Sequence, residues 1–101
     1  MTPTEFEAHV NDFAKDYTDL NYCVIALNEE AGEVAGWYKK AVLRGNVTGK
    51  YTDDDLKGEL GDVLYYLTRA ARLKGWTLSD IMDFNKAKLD ERQAKGYKQI
   101  A

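Results

Sequence analysis

Asn28-Glu29-Glu30-Ala31-Gly32-Glu33, with its echo Glu59-Leu60-Gly61-Asp62, is the stretch that decides how this chain folds. Each segment holds two acids three residues apart, Glu30 with Glu33 and Glu59 with Asp62. On a helix such positions share a face, about one turn apart. Two helices of this kind, packed together, bring four carboxylates to one spot. Bare carboxylates at that separation repel, so a positive charge belongs between them. Oxygen donors with no Cys or His among them suit a hard cation, Mg²⁺ before Zn²⁺.

Helical periodicity runs outward from both acid pairs. Around the first, Leu20, Val24, Leu27, Ala31, Val34, Tyr38 and Ala41 recur at alternating steps of four and three. They predict a core stripe on a helix from about Leu20 to Arg44, stopped by Gly45. Glu30, Glu33 and Trp37 fall along one edge of it. Around the second, Leu56, Leu60, Val63, Leu67 and Ala70 form the stripe, with Glu59, Asp62 and Tyr66 along an edge. Thr52-Asp53-Asp54-Asp55 predicts the start of that helix and Gly75 follows its end near Lys74. The glycine-bearing run 45–50 between the two is a loop.

Two further helices flank this pair. Thr2-Pro3-Thr4-Glu5 combines an N-cap, a proline at the first helical position and a capping-box acid, so a first helix runs to about Tyr17. Its apolar positions are Phe6, Val10, Phe13 and Ala14. Thr77-Leu78-Ser79-Asp80 opens a fourth helix. Its inward face starts with Leu78 and Ile81 and continues as Asn85, Lys88 and Arg92, polar groups that are costly to bury without partners. After Lys95-Gly96 a frayed tail is expected. No strand alternation or hairpin signal occurs, so the fold class is all-α with about four helices.

Composition sets further bounds. The 101 residues fit one domain, residues 1–101, with a modest core that oligomerisation would help. Hydrophobic residues are 45% and charged residues 31%, an ordinary soluble balance. The net charge of −3 and pI near 5.1 argue against nucleic acid or an anionic membrane as partner. Acids and polar residues interrupt every apolar run well before the roughly 18 residues of a span. Cys23 is the only cysteine, which excludes a disulfide framework and fits a reducing, cytoplasmic setting. It reads as a packed thiol, and His9 as a bystander.

Clustered carboxylates with nearby cations point to phosphate chemistry. Mg²⁺ shares its shell with substrate phosphates, and phosphoryl transfer needs positioning and charge neutralisation. Lys88 and Arg92 would clamp the phosphates, and Trp37 and Tyr66 offer surfaces on which a base stacks. Plainer readings stand beside these. An acid pair on a helix is commonly a solvated face, and the two aromatics by default are core or interface residues. Lys88 and Arg92 could simply pair with Asp90 or Glu91.

Glu29-Glu30-Ala31-Gly32-Glu33, then residues 34 through 58, which number 25, then Glu59-Leu60-Gly61-Asp62 resembles the E-E-x-x-E … E-x-x-D signature of the MazG-like nucleotide pyrophosphohydrolases. ALNEEAGEVAGWYKKAV is similar to that family's first metal helix, LKGELGDVLYYLTRAA to its second, and DFNKAKLDERQAKG to its C-terminal segment. The match covers about residues 20–96. The resemblance implies an all-α bundle completed by oligomerisation, and Mg²⁺-dependent hydrolysis of nucleoside triphosphates to monophosphate and pyrophosphate. Mn²⁺ is a possible substitute. It implies Glu30, Glu33, Glu59 and Asp62 as metal ligands and Glu29 as an outer partner or a ligand to a further ion, all five counted as catalytic. It also implies Asn85, Lys88 and Arg92 at the nucleotide, Tyr66 at the base and, as a weaker transfer, Trp37. A homodimer or homotetramer is implied, with a site often completed by a second subunit. The rival expectation is a nucleotide-binding or regulatory module of the same fold with little turnover. A third is a helical scaffold with solvated acids.

Overall fold

The computed structural model describes residues 1–14 and 19–96. Helix α1 spans Pro3–Ala14, α2 Leu20–Tyr38, α3 Asp53–Leu73 and α4 Leu78–Ala94. Among the described residues there is no strand. The expected end of α1 near Tyr17 and the expected frayed tail beyond Gly96 lie outside them.

The helix starts follow their capping chemistry. At α1 the Glu5 N–H donates to Thr2 Oγ1 at 3.2 Å and the Thr2 N–H donates to Glu5 Oε1 at 2.8 Å. Thr52 with Asp55, and Thr77 with Asp80, close the same reciprocal box at α3 and α4. Each box satisfies two backbone donors that a helix start leaves without partners. Helix α2 is capped by Asp19, whose carboxylate accepts from the Tyr22 N–H at 3.2 Å.

Helix α2 does not run as a plain α-helix to Arg44. At Lys39–Leu43 it widens into one π-helical turn before Gly45 ends it in the left-handed region, at φ +71°. Past it, Asn46, itself at φ +50°, clasps the loop. Its side-chain amide donates to the Tyr51 carbonyl at 3.1 Å, and its amide oxygen accepts from the Tyr51 N–H at 3.2 Å. That clasp returns the chain to Thr52.

Helices α2 and α3 pack along each other and form the centre of the chain. Their contacts fix them as antiparallel. At the loop end the Trp37 Nε1–H donates to the Thr52 carbonyl at 3.0 Å. At the far end the rings of Tyr22 and Tyr66 lie 6.3 Å apart, centroid to centroid. Helix α1 crosses to meet α3 and α4, burying Val10 completely. The Glu7 carboxylate accepts from the Leu78 N–H at 3.3 Å, tying α1 to the first turn of α4.

The expected core stripe of α2 is corrected in part. Buried on this helix are Cys23 and Ala26, and burial pushes the Cys23 thiol above its ordinary pKa. Leu27, Glu30, Val34 and Trp37 are half-buried. Val24 and Tyr38 are each 53% exposed and Ala31 is open as well. The cause is that α3 covers only the Cys23–Glu30–Trp37 flank of a wide apolar face. On α3, Leu60 is likewise exposed, whereas Thr68, Arg69 and Ala71 are buried. The Arg69 guanidinium carbon sits over two rings, 5.5 Å from the centroid of Tyr65 and 5.6 Å from that of Tyr66.

The inward face expected for α4 is corrected too. Leu78 is buried and Ile81 half-buried, but Asn85, Lys88 and Arg92 are all exposed. Only the first turns of α4 meet the body, so the polar residues follow the helix into solvent. The radius of gyration is 16.4 Å, against about 13 Å for a compact chain of 100 residues. No helix among the described residues is long and apolar enough to cross a membrane.

Candidate functional site

The antiparallel pairing of α2 and α3 sets Glu30 against Glu59 and Asp62. One carboxylate oxygen from each of these three residues lies within 4.8 Å of the others. Glu30 and Glu59 are half-buried and Asp62 is exposed, so the cluster sits at the edge of the helix pair and opens to solvent. The Glu30 carboxyl is held above its ordinary pKa, first by burial and then by the negative charges of Asp62, Glu29, Glu59 and Glu33. A site that penalises its own ionised form in this way favours a cation between the oxygens. The donor set is hard oxygen throughout, with one open side for further ligands. These residues fit a divalent cation of the Mg²⁺ type.

Glu33 stands one turn beyond Glu30 and lies outside this close triad. It faces instead a cavity of about 530 Å³ that continues from the carboxylates toward the loop. Glu33, Glu59 and Asp62 line one part of it, and Trp37, Lys40, Lys50 and Tyr51 line another. The acid pairs on two helices therefore do converge, three at the cluster and the fourth on the adjoining wall. Glu29 is exposed, and its charge acts on Glu30.

The other residues singled out from the sequence divide. Trp37 lines the cavity, held there by its hydrogen bond to the N-cap of α3. Tyr66 does not line it. Its ring is half-buried in an aromatic cluster, 5.0 Å from Tyr65 and 6.3 Å from Tyr22 between centroids, with Arg69 across its face. Burial, with a hydrogen bond to Tyr22, raises its phenol pKa. Asn85, Lys88 and Arg92 do not reach the cavity of their own chain.

Lys40, Lys50 and Tyr51 are among the lining residues that the sequence did not single out. For Lys40 a signal exists: it follows Trp37 by three positions, as Glu33 follows Glu30. Lys50 and Tyr51 carry none, because the Asn46 clasp that places them lies in a segment without periodicity.

Comparison with known proteins agrees with this arrangement. The sequence model of the MazG nucleotide pyrophosphohydrolase domain matches residues 20–97. The Gene 37 protein of Mycobacterium phage L5 is 36% identical over 78 residues, which cover 76% of this chain and 68% of that protein. No solved structure shows a significant match. With α2, α3 and α4 all inside the matched span and the acid pairs facing each other across the first two, the chain belongs to the MazG nucleotide pyrophosphohydrolase family.

Proposed function

We propose that the protein is a Mg²⁺-dependent nucleoside triphosphate pyrophosphohydrolase, converting (d)NTP and water to (d)NMP and pyrophosphate. The observation that carries this reading is the carboxylate triad opening onto a cavity that also presents lysines and a tryptophan. Glu30, Glu59 and Asp62 hold the cation, with Glu33 on the wall beside it. A Mg²⁺ ion held by these carboxylates would supply charge neutralisation for the triphosphate and polarisation of the attacked phosphorus. The side chains keep the phosphates fixed while water attacks in line, and most of the rate gain comes from that positioning and charge matching. Residues 1–101 act as one such domain, and the lone thiol and nucleotide substrate suit the cytoplasm.

The working form in this proposal is a homodimer or homotetramer. Val24 and Tyr38 at 53% exposure and Ile25 at 71% lie on α2, and Leu60 at 51% lies on α3. Such patches on one chain mark surfaces that want covering. A second copy would cover them and would offer a place for Asn85, Lys88 and Arg92, which are exposed and do not line their own chain's cavity. Light scattering on the purified protein should give a mass of two or four chains. Ile25→Asp should shift it toward one chain, and a wild-type monomer at micromolar concentration would remove the oligomer from the proposal.

A panel of the eight common NTPs and dNTPs with Mg²⁺, assayed for pyrophosphate, tests the activity itself. Turnover that disappears with chelator is the expected result. Binding without turnover would establish the nucleotide-binding module instead, and neither would establish the scaffold. The incomplete cavity of a single chain makes the module reading concrete, since a dissociated chain would keep the carboxylates and lack the α4 cations.

A further inference from the structure

The pyrophosphohydrolase reading leaves open which groups in this chain take the end of the phosphate chain that departs. We infer that Lys40 and Lys50, gathered about the ring of Tyr51, form a binding subsite for the two terminal phosphates, released as pyrophosphate. The inference rests on the proposed function for the identity of the substrate, but not for the geometry.

The Lys40 ammonium lies 5.7 Å from the Tyr51 ring centroid and the Lys50 ammonium 5.6 Å. One ring thus carries two ammonium groups, which places two cationic side chains around a single fixed residue of the cavity wall. Neither lysine makes an ion pair among the described residues. Two acids of the cavity wall are already engaged: Asp54 pairs with Lys57 at 3.9 Å, and Asp55 is held in the capping box of Thr52. Both lysines are exposed, and a compact ammonium on a flexible four-carbon stem suits a phosphate met as a point charge.

Position in the cavity gives the polarity of the substrate. Glu59 and Asp62 bring the carboxylate cluster to one part of the cavity, and Lys40 and Lys50 line its loop end. Glu30, Glu59 and Asp62 would hold a cation there, so the phosphorus under attack would lie on that side. The remaining phosphates would then extend past Glu33 and Glu59 toward the loop, where, among the described residues, the cationic lining side chains are these two lysines. Helix α4 does not supply this contact within the chain, because Lys88 and Arg92 do not line the cavity.

The test is calorimetric titration of the full-length protein with inorganic pyrophosphate, and separately with each of the four deoxynucleoside monophosphates, all in saturating Mg²⁺. The double variant Lys40→Ala/Lys50→Ala should bind pyrophosphate at least tenfold more weakly and the monophosphates within twofold of wild type. Lys40→Arg/Lys50→Arg should recover most of the loss, which a folding defect would not allow. Unchanged pyrophosphate affinity in the alanine variant overturns the assignment. So does an equal loss for the monophosphates, or a wild-type protein that does not bind pyrophosphate. If wild type binds pyrophosphate through these lysines yet hydrolyses no triphosphate, the subsite stands and the enzymatic reading falls. If wild type hydrolyses triphosphates and the alanine variant keeps its pyrophosphate affinity, the subsite alone falls.

Discussion

Asp62→Asn should leave the helices folded and abolish Mg²⁺-dependent hydrolysis. The side chain is exposed in the middle of α3, so a nearly isosteric amide disturbs no packing. What changes is the charge of a triad whose oxygens lie within 4.8 Å of one another. A hard cation binds weakly to an amide in place of a carboxylate. Even residues that only support metal ligands typically cost about 10–100-fold when mutated, so loss of a ligand should reach the upper end or beyond. The check is kcat/KM as a function of Mg²⁺ concentration, with circular dichroism to confirm helix content. An active variant with an unchanged Mg²⁺ profile would disprove the metal assignment.

The second large effect is on stability. The melting temperature should rise with Mg²⁺, because the cation binds the folded carboxylate cluster and not the separated residues of the unfolded chain. At a hundredfold excess over the dissociation constant the gain is about 2.7 kcal/mol. For a domain of this size that corresponds to a shift on the order of 10 °C. Glu30→Gln should raise the melting temperature of the metal-free protein and shrink the Mg²⁺ response. The pH dependence has a definite sign. A carboxyl whose folded pKa is raised contributes stability below its unfolded pKa, and loses it as pH rises through the folded value. Metal-free protein should therefore lose stability on this account as pH climbs above the ordinary value of 4.5, and Glu30→Gln should flatten that loss. Calorimetry that finds no Mg²⁺ shift at many millimolar would leave the acids as a solvated face.

The parts of the fold governed by local chemistry were legible in the sequence. Thr2, Thr52 and Thr77 each paired with an acid three residues on, and each opens a helix. Gly45 and Gly75 end helices at positive φ, as the absence of a side chain permits. The meeting of Glu30 with Glu59 and Asp62 was legible as well, because both acid pairs lie on the edge of an apolar stripe.

What failed to show was which part of a wide stripe is covered. Val24, Ala31 and Tyr38 have the same periodicity as Leu27 and Val34. Periodicity measures how much apolar face a helix carries, and not how many neighbours one chain can set against it. The same limit hid the course of α4. The spacing from Leu78 through Arg92 is regular, yet contact with the body ends after its first turns. Lys50 and Tyr51 were invisible for a different reason. Their positions follow from side-chain clasps within a loop, and no spacing rule records those.

The π-helical turn at Lys39–Leu43 carries one residue more than an α-helix would need to span the same rise. Such a surplus is a phase shifter. Each residue in an α-helix turns the chain by about 100°, so deleting one from this turn would make α2 more regular while rotating everything after it by that angle. Gly45, the Asn46 clasp and Tyr51 would swing away from the carboxylates, and Trp37, upstream of the turn, would lose Thr52. Regularity and alignment are in opposition here. The irregular turn lets a loop with its own internal fastenings meet the acid pairs in phase, and a shorter, better helix would present the same residues to the wrong side.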